Sequence, residues 1–418
     1  MRKLLDFVKG LEPDKKKSPF MHTLYDGFFT FLYAPDHVTS GKGVHIRDRM
    51  DLKRLMVYVV LALGACYLFG MYNTGHQHFT ALGVHTGFFD AVNLKLFFGI
   101  GKMLPIFVVT HVVGLGIEFY YAARKGHGIE EGFLVSGALI PLIMPPDIGL
   151  IWLALSVAFA VIVGKEAFGG TGMNVWNIAL LSRVFIFFAY PTTISGDEVW
   201  VSGLESTAAG AATDYGWWHT GLGNTLFNWF GWPLFDPALV VADGYTGATP
   251  LGLAAKGGWE AVQEVYTNSQ MWWGSIPGSV GETCKPIILL GALFLVFTKV
   301  ASWRIMVSML IGAAVTGMLF NLSGATPFMA VPWEYHFYMG SFFFAMAFMA
   351  TDPVTASSTA KGKWMYGFMI GVVGMIVRVL NPAYPEGWML AILFMNTFAP
   401  LIDHFVIQGN ISKRLKHA

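Results

Sequence analysis

Charge is what this chain most lacks. Asp, Glu, Lys and Arg make up 13% of its 418 residues, where a soluble domain carries about 25%. Hydrophobic residues reach 55% and mean hydropathy is +0.54. A buried charge is costly in hydrocarbon, so this shortage marks a chain dissolved in lipid. The net charge of +1 excludes bulk attraction to nucleic acid. Cysteine is scarce as well: Cys66 and Cys284 are the two, and they form no CxxC. A thiolate-held iron–sulfur cluster takes about four cysteines, so this chain alone cannot hold one; a cluster shared with a partner chain stays open. The histidines, among them His76, His78, His85, His111 and His219, show no ligand spacing beside a carboxylate, so no resident metal is expected. The stretch Met1–Pro19 is lysine-rich and lacks the apolar region of a signal peptide. Gly169-Gly170-Thr171-Gly172 is not followed by Gly-Lys-Ser/Thr and is no phosphate loop.

What the chain has is apolar length. Spans need roughly 20 mostly apolar residues, and about ten candidates can be read, several short or interrupted. They lie near Leu55–Met71, Met103–Tyr121, Gly132–Met144, Gly149–Val163, Trp176–Tyr190, Pro286–Phe297, Ile305–Phe320, Tyr338–Ala350, Met365–Leu380 and Trp388–Ile402. The expected fold is therefore an all-α polytopic membrane protein. A weak internal echo joins residues 169–185 (GGTGMNVWNIALLSRVF) to 381–396 (NPAYPEGWMLAILFMN). It suggests two five-helix repeats, with sites where helices are broken.

Lysine and arginine in the loops set the orientation. Lys15, Lys16, Lys17, Arg47, Arg49, Lys53 and Arg54 precede the first span, and Lys413, Arg414 and Lys416 come after the last. Both termini are thus expected in the cytoplasm of a bacterium, the chain crossing its inner membrane many times. The long segment before Lys285 is acidic and faces out, as does the cation-free Asn321–Glu334. Lys95 and Lys102, between the first two spans, fit this pattern poorly. Five regions result: a cytoplasmic segment 1–53, spans over 54–190, an outer loop 191–285, spans over 286–402, and a cytoplasmic tail 403–418. Within the first, FMHTLYDGFFTFLY at 20–33 is aromatic and too short to cross. It reads either as a helix lying on the inner interface or as one packed on a partner subunit.

The outer loop contains Asp243-Gly244-Tyr245-Thr246-Gly247-Ala248-Thr249, with Pro250 next. Asp and Gly start a turn, Gly247 and Ala248 admit a bulky group close to the backbone, and Pro250 stiffens the chain beyond Thr249. By residue chemistry alone this is an ordinary turn, because a hydroxyl is a weak nucleophile until activated. A second string, Ser323-Gly324-Ala325-Thr326-Pro327, also faces out, but Phe320 stands where the first has Asp243.

The first string resembles the D-x-x-[S/T]-G-A-T flavinylation motif of respiratory flavin-carrying subunits. Further stretches carry the likeness along nearly the whole chain: Asp51–Arg54, Lys165-Glu166-Ala167-Phe168-Gly169-Gly170-Thr171-Gly172, Phe187–Pro191, Ile276-Pro277-Gly278-Ser279, Ala350-Thr351-Asp352-Pro353 and Asn381–Gly387. Together they resemble the B subunits of sodium-translocating NADH:quinone oxidoreductases. The D subunits of Rnf complexes, which belong to ion-pumping ferredoxin:NAD oxidoreductases, share the motif and the span plan but usually lack so long an aromatic and basic N-terminal segment. Ile178 departs from the family pattern, which usually reads Asn-Pro-Ala there.

The resemblance implies a translocase subunit. Its FMN is esterified to Thr249, with Asp243, Thr246, Gly247 and Ala248 forming the motif that is recognised. Riboflavin is held without a covalent bond, ubiquinone is the acceptor, and electron flow drives sodium outward. The partners implied are the A, C, D, E and F subunits, besides lipid, sodium and quinone. Asn174 and Asn177 would lie beside riboflavin, whose ring edge suits a carboxamide; an N-cap role explains asparagine there equally well. Glu118, Asp352 and Asp403 are carboxylates in or at the ends of spans, which are functional candidates by default. The resemblance gives them a part in sodium uptake; the other reading pairs them with Lys or Arg, as Glu118 with Arg124. Glu131, Gly132 and Phe133, with Phe28, Phe29 and Phe31, could line a quinone pocket, or the aromatics could be interface anchors. Arg183 and Arg378 interrupt spans and invite a buried partner. A solute channel or transporter without redox chemistry is the competing class, and the Asp243–Thr249 string argues against it.

Overall fold

The computed structural model describes residues 10–14, 18, 21–22, 25, 29, 52–125, 132–191, 194, 198–203, 218–234, 236, 245–381 and 386–417. Glu131, Asp243, Phe28 and Phe31 lie outside the described residues. The ordered elements are helical: α1 (Leu52–Ala81), α2 (Val92–Lys125), α3 (Phe133–Ile143), α4 (Leu150–Gly164), α5 (Ile178–Ala189), α6 (Pro250–Val265), α7 (Asn268–Trp273), α8 (Lys285–Phe297), α9 (Trp303–Ser323), α10 (Ala360–Leu380) and α11 (Trp388–His417). Six described helices are long and apolar enough to cross a membrane, namely Leu55–Ala81, Val92–Lys125, Leu150–Phe168, Trp303–Ser323, Ala360–Leu380 and Trp388–Lys416. Phe133–Ile143, Ile178–Ala189 and Lys285–Phe297 are apolar but shorter. Leu61, Leu68, Val112, Leu290, Phe297 and Leu319 stand exposed. Such a surface is a liability in water and a suitable one in lipid.

Close helix contacts are built on glycine. A Cβ on Gly367 or Gly371 of α10 would collide with Ser308 and Met309 of α9, and one on Gly312 would collide with Phe368. Gly75 and Gly99 do the same for α1 against α2. Lipid is as apolar as leucine, so packing contact, not water exclusion, holds such pairs together.

Two features differ from the reading of the sequence. The helix α2 begins at Val92, eleven positions before the expected Met103. Lys95 and Lys102 therefore lie inside a helix, fully buried. Lys102 Nζ donates to Asp147 Oδ1 at 2.8 Å, and Lys95 Nζ to the Gly87 carbonyl at 2.5 Å. Lys102 is paired with a carboxylate and Lys95 is held by a carbonyl, both inside the helix, so neither is a loop cation. Second, Tyr338–Ala350 is not one helix. It is a short turn of helix at Tyr335–Tyr338, a break at Met339–Ser341 and a π-turn at Ala345–Met349. The break survives burial because Arg378 Nη1 donates to the carbonyls of His336 (2.6 Å) and Met339 (2.9 Å). A buried carbonyl left without such a partner would cost free energy.

Candidate functional site

At one end of the bundle, Tyr245–Thr249 leads into α6. Gly247 has φ +60°, a left-handed conformation that glycine adopts without a Cβ penalty. The turn then presents Thr249 as the N-cap of α6: its Oγ1 accepts from Gly252 N at 3.0 Å, and Pro250 occupies the first helical position. Proline there sacrifices no hydrogen bond. Ala248 is buried, and its carbonyl accepts from the Tyr266 hydroxyl at 2.7 Å. Tyr245 packs against Ala81 and Val201, and burial pushes its phenol up to about 12, so it stays neutral. Thr249 itself is half-buried. A hydroxyl in this position sits at the positive end of a helix, where a phosphate is favoured. The residues present therefore suit a phosphoester on Thr249. Thr326, the alternative, is exposed and caps a single turn, accepting from Met329 N at 3.2 Å.

At the opposite end, a cavity opens among the first turns of α1, α3 and α5 and the segment after the π-turn. It has a volume of about 100 Å³ and is lined by Gly132, Lys165, Thr171, Asn174, Asn177 and Asp352 among others. Three glycines with positive φ, Gly169, Gly170 and Gly172, fold the chain back between α4 and α5. That reversal brings Asn174 and Asn177 to the cavity that Lys165 also lines. Asn177 Oδ1 caps α5, accepting from Ala179 N (3.0 Å) and Leu180 N (3.2 Å). Its cap role and its place on the cavity wall coexist. Asp352 accepts from Val354 N (3.2 Å) and Thr355 Oγ1 (2.8 Å). Lys165 is buried and forms an ion pair with Glu118 of α2, which is buried too. Amide, ammonium and hydroxyl groups thus stand on an otherwise apolar wall, the make-up of a small-molecule site.

The two ends are far apart. Tyr245 Oη lies 3.5 Å from Gln77 Oε1 near the end of α1, and the cavity touches Leu55 near its start. Twenty-two residues of helix span about 33 Å.

The structure thus gathers Asn174, Asn177, Gly132 and Asp352 at one cavity, with Glu118 joined through Lys165. Among the described residues, it does not bring Phe133, Phe29 or Asp403 there. Phe133 is fully buried and packs where a Cβ on Gly114 of α2 would sit. Phe29 stacks on Tyr25, centroids 5.7 Å apart, and is not among the lining residues. Asp403 holds the turn before α10: its carboxylate accepts from Ser357 Oγ (2.6 Å), Ser358 N (2.7 Å), Thr359 N (3.0 Å) and Thr359 Oγ1 (2.6 Å).

Sequence reasoning missed the pairings. Glu118 meets Lys165, 47 positions on, where local spacing had pointed to Arg124. Arg183 meets Glu386 and donates to the Ile143 carbonyl at 2.8 Å. Asp147, which neutralises Lys102, comes after two prolines and reads as loop polarity. No one-dimensional signal carries such long-range pairs.

Comparison with known proteins completes the description. The chain matches the NQR2, RnfD, RnfE family over residues 39–412. It is 43% identical over 418 aligned positions to the B subunit of the Na(+)-translocating NADH-quinone reductase of Chromohalobacter salexigens, covering 94% of this chain and 91% of that protein. The B subunit of the same enzyme from Ectopseudomonas mendocina is 41% identical, with 98% and 96% covered. That of Pseudomonas aeruginosa PAO1 is 40% identical, with 99% and 98% covered.

Proposed function

Because this chain belongs to the NQR2, RnfD, RnfE family, we propose that it is the B-type membrane subunit of a sodium-translocating NADH:quinone reductase. The near full-length likeness to subunits of that name carries the reading. The enzyme activity belongs to the assembled complex, in which the A, C, D, E and F subunits are the partners, within a bacterial inner membrane. The six long helices, the three short ones and the broken segment at 335–349 make ten crossings in two five-helix repeats, with both termini in the cytoplasm. Thr249 then lies outside and the cavity at Lys165 inside.

Thr249 carries FMN through a phosphoester. Its support is the match to D-x-x-T-G-A-T together with a half-buried hydroxyl on the first turn of α6. Bound flavins supply stepwise electron transfer. The chain's own residues do the rest. Gly252 N and the α6 dipole hold the phosphate, and the Tyr266 hydroxyl fixes the Ala248 carbonyl beside it. Asn174 and Asn177 orient riboflavin, and quinone binds near Gly132 on the wall of the same cavity. About 30 Å of hydrocarbon separates the outer flavin from this inner cavity, so a further carrier outside the cavity is needed between them. Glu118 and Asp352 serve the sodium path, and Asp403 steadies the turn from Ser357 to Thr359 that leads into α10.

The test uses protein matured in cells that also make its flavin transferase. On a denaturing gel, the parent chain and Thr326→Ala fluoresce as flavoproteins, whereas Thr249→Ala is dark. Mass spectrometry of the parent finds the FMN increment on the peptide holding Thr249. A fluorescent Thr249→Ala chain, with Thr326→Ala dark, overturns the assignment.

A further inference from the structure

One buried ion pair stands between two sites and belongs wholly to neither. Lys165 is 3% exposed, Glu118 5%, and they pair through Nζ and Oε1. Lys165 is also a wall residue of the cavity that Asn174 and Asn177 line. Glu118 lies one helix further back, on α2, and is not a wall residue. The ammonium therefore has the cavity on one side and the carboxylate on the other.

Its setting allows movement between them. Lys165 comes directly after the last residue of α4, and its carbonyl is held by Gly170 N at 3.1 Å, so the backbone is anchored. The side chain has four rotatable carbons and a compact charge with three donors. The neighbouring carboxylate, Glu166, is engaged by Lys125 at 2.9 Å, which leaves Glu118 as the anion Lys165 serves. A buried carboxylate cannot be left bare, because an uncompensated buried charge is strongly unfavourable. It can exchange one cation for another.

We propose that Lys165 is an exchangeable counter-ion. A hard monovalent cation takes its place on Glu118, and the freed ammonium turns into the cavity to donate to the acceptor edge of the ligand there. This rests on the reading of the chain as a sodium-dependent electron-transfer subunit. It adds that ion and cavity ligand are linked through one side chain. Because linkage is reciprocal, sodium tightens the cavity ligand by the factor by which that ligand tightens sodium.

Two measurements test it on the intact complex in detergent. The first is acetylation of Lys165 by acetic anhydride, read by peptide mass spectrometry in sodium chloride and in choline chloride at equal ionic strength. Release from Glu118 is expected to speed acetylation of Lys165 about fivefold or more in sodium, while exposed Lys413 reacts equally in both salts. Equal rates at Lys165 overturn the exchange. The second is the sodium concentration that half-saturates quinone reduction. In Lys165→Met no ammonium competes, so that concentration falls about tenfold, and Lys165→Arg returns it toward the parent. A Lys165→Met complex within twofold of the parent overturns the proposal. If that variant does not assemble, the labelling of the parent decides. A parent whose turnover ignores sodium sinks the functional reading itself; sodium-stimulated turnover with unchanged labelling sinks this inference alone.

Discussion

At Thr249 one oxygen has two duties, as cap of α6 and as the proposed ester position. They are compatible because a phosphoester's oxygens can accept from Gly252 N, the N–H that the hydroxyl accepts from now. The turn before it depends on Gly247 at φ +60°. A β-branched side chain there is strained by about 1–2 kcal/mol. Gly247→Val is therefore expected to fold but to leave most Thr249 peptide without FMN, as read by mass spectrometry. Arg183 and Glu386 pose a different risk. Removing one partner of a buried pair costs about 3–5 kcal/mol, so Glu386→Gln lowers the thermal midpoint of the purified complex. Arg183→Met with Glu386→Leu recovers much of that loss; a double variant no better than the single would show that the pair is not the source.

Helices in this molecule are joined by what they omit. Gly367 and Gly371 let α10 lie against the backbone of α9. Gly371→Val forces the pair apart, and overpacking of this kind costs about 1–3 kcal/mol. A lowered unfolding midpoint in detergent, with less complex recovered, is the expected result. Asp403 works on α10 from its other end, gathering four donors from Ser357 to Thr359. Hydrogen bonds to a charged group contribute about 1.5–3 kcal/mol. Asp403→Asn should lower stability and turnover and leave the half-saturating sodium concentration unchanged. A large rise in that concentration would instead make Asp403 an ion ligand.

Over the whole chain, the two sites stand at opposite ends of α1. Single cysteines test the proposed sidedness, since Cys66 and Cys284 are both buried. Thr326→Cys should react with an impermeant maleimide on intact cells, and Lys413→Cys only after permeabilisation; the reverse pattern inverts the molecule.

Much of this was legible in one dimension. Hydropathy located the long membrane helices, because every backbone group inside lipid must be satisfied within a helix, though not the start of α2 nor α6 and α7 in the expected outer loop. The form of the turn before α6 was legible too, because turn chemistry is local: Gly247 takes a positive φ and Pro250 starts the helix, whereas Thr249 was singled out only by its resemblance to a flavinylation motif. What the sequence could not hold was the pairing of charges and the breaks in helices. Lys165 with Glu118, Arg183 with Glu386, Lys102 with Asp147 and Arg378 with the carbonyls at 336 and 339 all join residues more than thirty positions apart. The net charge of each segment is set by composition, but which cation neutralises which anion is decided by three-dimensional proximity. That decision turned two misplaced loop lysines into buried ones and a predicted helix into a broken one.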